Sequence, residues 1–288
     1  MKIGDIVVRK SYGKDVTFKI IDVKNKDGKD NVILKGINIR IIADAILDDL
    51  ELANEDSGTK DKILNTRVDE AIKRAINIRG NLRDKVEKST KVKDKDKNEL
   101  MFGRPGKILH VDGDSEYMET CLKVYKQLYL DAVGKSVPES EQPYVIVDLV
   151  KEIKPDIVVL TGHDSVVRDP KDYLNLDNYR NSKYYLESVK NLRDYNSSYD
   201  ELVIFAGACQ SCYERILDVG ANFASSPNRV LIHCLDPVFV CEKIAYTRID
   251  KVVSITDVIE NTITGIKGIG GLQTRGKYRE GYPKSLYI

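Results

Sequence analysis

Two residues of this chain have the chemistry of a covalent catalyst and stand where a parallel sheet would present them. Cys209 follows the apolar run in "VIFAGACQS" and His163 follows the run in "VVLTGHDS". In an open parallel sheet, ligands bind just outside the carboxyl ends of the strands. A thiol at a helix start with an imidazole nearby has two reasons to ionise, the positive end of the helix dipole and the neighbouring cation. It then becomes a nucleophile near neutral pH. The small residues Ala206, Gly207 and Ala208 ahead of it let a substrate backbone lie against the strand end, and N–H groups there suit a developing oxyanion. A third set, Asp112 and Asp114 in "HVDGDSE", follows another apolar run. It offers either working carboxylates or the residues of a tight strand-to-helix turn, with Asp114 or Ser115 as the cap.

Each of these has a plainer reading when taken alone, since free cysteines are usually packing residues and a loop histidine often only caps or solvates. The joint placement carries more weight. Consecutive strands of such a sheet are often neighbours, about 4.8 Å apart, so the imidazole and the thiol share one rim, close enough for a bound substrate to fit between or beside them. A rival reading pairs Cys209 with Cys212 as a redox C-x-x-C. That motif normally follows an early strand and has aromatic or proline neighbours, which "ACQSC" lacks, so Cys212 reads as a helix residue facing the core. Cys121, Cys234 and Cys241 form no second close-spaced pair, so no zinc site, and no metal or cofactor at all, is expected. His110 and His233 lie within apolar runs and read as core residues, His233 also as a candidate neighbour of the site. "GIKGIGG", residues 265–271, lacks the Lys-Ser/Thr of a phosphate loop and reads as a mobile loop.

The elements that must position these residues follow from pattern and composition. At 288 residues the chain is long enough for two domains. Its 46 basic and 45 acidic side chains nearly cancel, which argues against nucleic acid or membrane as partner. No run reaches the ~20 apolar residues of a membrane span and no signal peptide is seen, so a soluble protein that stays in the compartment where it is made is expected. Five cysteines, an odd number, read as reduced thiols. Residues 1–54 alternate β-branched runs with turn residues, Asp27-Gly28 among them, and predict a small all-β module, an SH3-like barrel or sheet. Residues 55–104 hold one amphipathic helix through Leu64, Val68, Ile72 and Ile76, and then a flexible charged tether over 87–100. From 105 to 288 apolar runs alternate with amphipathic segments, the rhythm of an α/β domain with a mainly parallel sheet. Strands are predicted at 107–112, near 128–133, and at 156–162, 201–208 and 229–235, with helices between them.

The pairing of a histidine after one strand with Ala-Cys after the next is similar to the caspase-hemoglobinase arrangement of cysteine peptidases. The wider text, "RKSYGKDV", "GKILHVDGD", "VVLTGHDS", "VIFAGACQS", "GANFASSPNRVLIHCLDPV" and "GGLQTRG", resembles the YabG sporulation peptidases of spore-forming Firmicutes. That resemblance covers the N-terminal module and everything from about 105 onward. It implies a caspase-like three-layer sandwich. It also implies a cysteine endopeptidase, made in the mother cell, that processes spore-coat and cortex-associated proteins after arginine, with Cys209 as nucleophile and His163 as its partner. In the broader caspase-like pattern a glycine follows the histidine. Here Gly162 precedes His163 and Asp164 follows it, which leaves the second oxyanion donor, beside the N–H of Cys209, open between Gly162 and others. Cleavage after arginine requires a carboxylate in the primary pocket, and Asp164, Asp236 and Asp112 all lie at predicted strand ends, with Asp164 and Asp236 preferred over Asp112. Arg67, Arg79, Arg83, Arg104 and Arg168 are candidate points of self-cleavage. The alternative function classes are a thiol-disulfide oxidoreductase and a non-enzymatic coat-assembly factor.

Overall fold

The computed structural model describes all residues except 27–28, 55–56, 90–100, 168, 286 and 288, and only the backbone of 25–26, 29–30 and 79–89. Strands β1 (Ile6–Arg9), β2 (Thr17–Lys26), β3 (Lys29–Gly36), β4 (Ile42–Ile46) and β5 (Leu50–Leu52) form one antiparallel sheet in the order β4-β3-β2-β1-β5. Their alternation buries Val7, Phe18, Ile20, Val32, Leu34 and Ala45 on one face. The expected turn at Asp27-Gly28 lies outside the described residues, while the strands beside it stay paired as far as Lys26 and Lys29. Helix α1 (Thr59–Ser89) lays Val68, Ala71 and Ala75 on the core of the larger sheet. It runs into the stretch expected as a tether, whose residues 90–100 lie outside the described residues.

The rest of the chain opens with β6 (Phe102–Arg104) and continues through β7 (Ile108–Asp112), α2 (Ser115–Gln127), β8 (Ala132–Ser136), α3 (Gln142–Ile153), β9 (Ile157–Thr161), α4 (Ser182–Tyr195) and β10 (Val203–Ala206). It ends with α5 (Tyr213–Asp218), β11 (Phe223–Ser225), α6 (Asp236–Tyr246), β12 (Val252–Val253), α7 (Ile255–Asn261), β13 (Ile269–Gly271), β14 (Thr274–Arg275) and β15 (Arg279–Gly281). The central sheet has the order β13-β11-β10-β9-β7-β8 and is parallel except for β13. Strands β7, β9 and β10 are buried on both faces, as their unbroken apolar runs require. Ile108, Ile157, Val159 and Phe205 pack against α1, α2, α6 and α7 on one side, and Leu109, Val158, Leu160 and Ile204 against α3, α4 and α5 on the other.

Two predicted strands differ from the structure. The run 128–133 yields β8 only from Ala132, because Leu128 caps α2 and Tyr129 takes a left-handed turn at φ 52°. The run 229–235 is no strand of the central sheet. That place is taken by the three residues of β11, and 230–234 instead crosses the carboxyl edge, where His233 forms a single bridge with Ile39 of the N-terminal sheet. A β-branched run announces extended backbone but not its partner.

Candidate active site

Both loops of interest leave the same edge of the sheet from adjacent parallel strands, with Leu160 of β9 in register with Ala206 of β10. Strand β7 lies on the other side of β9, so the histidine stands between the ends of β7 and β10. Asp114, at the end of β7, is the N-cap of α2. One carboxylate oxygen accepts the N–H groups of Glu116 and Tyr117 at 3.0 and 3.2 Å. The other lies 2.9 Å from Nε2 of His163. A carboxylate only accepts, so Nε2 carries the proton and Nδ1 is left as the basic nitrogen. Nδ1 is buried and has no hydrogen-bond partner among the described residues. Asp114 is partly buried, which pushes its carboxyl up, but the bond from His163 and the Lys35 ammonium at 2.6 Å outweigh that and hold it well below the usual carboxylate range. The His163 backbone is pinned as well. Its N–H donates to Glu139 at 2.6 Å and its carbonyl accepts from the Asn181 side chain at 2.8 Å.

Cys209 sits in the turn after β10 and is 1% exposed. Its sulfur accepts the N–H of Ile232 at 3.1 Å. The expected place at a helix start belongs instead to Cys212, the N-cap of α5, so no helix dipole acts on Cys209 directly. Burial pushes the Cys209 thiol up to about 12, and in this conformation it is a protonated, covered thiol rather than a ready nucleophile. The loop spends its neighbouring donors internally, Ala208 N–H on Ser211 Oγ and Gln210 N–H on the Val230 carbonyl. Gly162 turns its Cα against the Glu139 carboxylate, where a Cβ would overlap it. Cys212 is buried, with its sulfur 3.6 Å from the Tyr173 carbonyl, and all five cysteines are free.

The three carboxylates proposed to read arginine have different surroundings. Asp164 accepts from Ser165 N–H, Asn181 N–H, Ser182 Oγ and Ser211 Oγ, between 2.5 and 2.9 Å. Burial raises its pKa. With its lone pairs filled it serves as a brace, tying the His163 loop to the Cys209 turn through Ser211. Asp236, also raised by burial, is equally committed. It accepts from the backbone N–H groups of His233, Ile263 and Thr264 and from the Thr264 hydroxyl. Only Asp112 holds a guanidinium. Arg40, from the β3–β4 connection, reaches it in a bidentate pair at 3.1 and 2.6 Å. Burial pushes Asp112 up, but Arg40 outweighs it and keeps the carboxyl far below its ordinary value. Arg40, Lys35 and Tyr117 escaped the sequence reading. The clue available for the first two was a charge interrupting an apolar run, in "NIRII" and "VILKGI". Among the described residues no group of three or more His, Cys, Asp or Glu is placed to hold a metal ion.

A family model described as YabG peptidase U57 matches residues 2–283. The chain is 39% identical over 287 residues to the sporulation-specific protease YabG of Bacillus subtilis (strain 168), a comparison covering 98% of each chain. No solved structure matches it.

Proposed function

The chain belongs to the YabG peptidase U57 family, and from that premise we propose that it is a cysteine endopeptidase in which Cys209 and His163 form the working dyad. The observation that carries this reading is the histidine. It is held in one tautomer by Asp114, its unpartnered Nδ1 is buried at the sheet rim, and its loop is braced to the Cys209 turn by the Asp164–Ser211 bond at 2.8 Å. Once the site is open, Nδ1 takes the thiol proton and the sulfur attacks the scissile carbonyl carbon. The tetrahedral oxyanion is met by the N–H of Cys209, with Gly162 as the candidate second donor. Collapse breaks the C–N bond, the imidazolium gives its proton to the leaving amine, and a thioester remains. Water, deprotonated by Nδ1, then hydrolyses the thioester and restores the thiol.

Cleavage after arginine goes with this reading, and the carboxylate we assign to it is Asp112, which also accepts from Asp114 N–H and the Thr161 hydroxyl at 2.9 and 2.8 Å but alone of the three holds a guanidinium in a bidentate pair. The substrates would be spore-coat and cortex-associated proteins in the mother cell. The proposed architecture is an SH3-like barrel over 1–54, a helix and tether over 55–104, and a caspase-like sandwich over 105–288. It is supported by the antiparallel five-stranded sheet and by helices on both faces of a largely parallel one. The test is processing of an arginine-containing coat-protein peptide. Cys209→Ala and His163→Ala are expected to lose at least about a thousandfold in kcat/KM, and Cys212→Ser to stay within about threefold. Equal losses from the two cysteine variants would instead make the pair a redox couple.

A further inference from the structure

We propose that residues 36–41, the last residue of β3 and its connection to β4, are an intramolecular substrate mimic that holds the enzyme latent, with Arg40 seated in the pocket that reads arginine. The inference rests on the peptidase reading above and names the present occupant of that same site.

The main chain supports it first. Ile39 bridges His233 in antiparallel fashion, Arg40 N–H donates to the Ile232 carbonyl at 3.2 Å, and Cys234 N–H donates to the Asn38 carbonyl at 2.9 Å. This is how an extended peptide adds to an exposed segment, main-chain bonds giving affinity and side-chain pockets giving specificity. The segment it adds to is the one whose Ile232 N–H is bonded to the Cys209 sulfur.

The side chain completes the resemblance to a bound substrate. Beyond its bidentate pair with Asp112, the Arg40 guanidinium lies 3.4 Å from the Gly162 carbonyl and 3.5 Å from the Cys234 carbonyl, and its carbon is 5.0 Å from the centroid of the Tyr117 ring. A planar fork on a carboxylate with carbonyls around it is an arginine-selective pocket. Its walls are the residue before His163 and the segment over Cys209.

The mimic is also held rigidly. Tyr117 Oη lies 2.6 and 2.8 Å from the carbonyls of Gly36 and Ile39. Ile41 N–H bonds back to the Ile39 carbonyl at 2.8 Å and so turns the chain away just past Arg40. Lys35, the residue before this segment, holds Asp114, which orients His163. A mere ion pair between two packed units would need none of this ladder. An arginyl substrate can bind only when 36–41 has left.

The experiment uses the full chain and a peptidyl-arginyl chloromethyl ketone, from which the Cys209 thiolate displaces chloride to form a thioether that intact mass reads. Arg40→Ala is expected to be labelled at least tenfold faster than the unsubstituted chain, and to prefer the arginyl reagent over its alanyl counterpart by at least tenfold. Arg40→Ala/Asp112→Asn, which leaves no unpaired carboxylate behind, should lose that preference. Tyr117→Phe keeps both partners of the ion pair and should be labelled two- to fivefold faster. If Arg40→Ala does not fold, Tyr117→Phe decides alone. Folded variants labelled no faster than the unsubstituted chain, while that chain cleaves an arginyl peptide, would overturn the mimic and spare the peptidase. No labelling of Cys209 and no hydrolysis in any variant would overturn both.

Discussion

His163 is useful to a peptidase in only one tautomer, and the residue that sets it is Asp114. Asparagine is nearly as good an N-cap as aspartate, so Asp114→Asn keeps the start of α2 at a cost of about 1 kcal/mol or less. It no longer compels a proton on Nε2. By analogy with other oriented imidazoles, kcat on an arginyl peptide amide should fall by about 10²- to 10⁴-fold with KM little changed. A melting temperature measured alongside separates this from unfolding, and a loss confined to KM would assign Asp114 to substrate binding instead. The same scale accounts for the unreactive thiol. Burial of Cys209 outweighs the Ile232 N–H and the Arg40 guanidinium, which both favour the thiolate, and a thiol pushed up to about 12 is almost wholly protonated at neutral pH.

At the scale of elements, α1 bears on where the chain would cut itself. A peptidase acts on extended backbone, and Arg67, Arg79 and Arg83 all lie within α1 (Thr59–Ser89), so the helix must unwind first. Helices fray from their ends, and Arg83 and Arg79 lie toward the C-terminal end. Arg104 is in extended β6 but precedes Pro105, whose ring nitrogen offers no N–H to a subsite. Mass spectrometry of the ageing protein is therefore expected to find fragments ending at Arg83 or Arg79 before any ending at Arg67 or Arg104, and none in Cys209→Ala. First cleavage at Arg67 would mean that α1 opens from its other end. Arg168 lies outside the described residues.

For the whole molecule, the buried histidines link stability to pH. Burial lowers His233 to about 4, with Arg40 adding to the effect, and burial also lowers His110. A histidine whose folded pKa is depressed stays neutral in the native state and takes up a proton on unfolding. Its contribution is thus full above the unfolded value near 6.5 and is lost as pH falls from there toward 4. From His233 alone the loss between pH 6.5 and 5 is about 1.5 kcal/mol. His233→Asn keeps a side-chain acceptor for the Leu235 N–H, which His233 Nδ1 accepts at 3.1 Å, and removes the titration. Urea midpoints at the two pH values should converge in that variant, and an unchanged difference would assign the slope to His110 and the carboxylates. Among the described residues no helix is long and apolar enough to cross a membrane.

What the chain determines by itself is set by burial on a local scale. Strands covered on both faces must be written as unbroken apolar runs, so β7, β9 and β10 are legible, and with them the residues at their carboxyl ends, Asp112, Asp114, His163 and Cys209. The helical stripes of α2, α3, α4 and α5 are legible for the same reason. Tertiary structure alone decided the pairings. Local pattern records that a segment is extended or buried, not what it meets, so "RVLIHCL" looks like a sheet strand and serves as a platform for Asn38–Arg40. Likewise, nothing near Asp112 in the text announces Arg40, whose partner is chosen by the docking of the N-terminal sheet over the rim. The 230–234 segment, and the N-terminal sheet docked on it, cover the edge to which His163 and Cys209 belong.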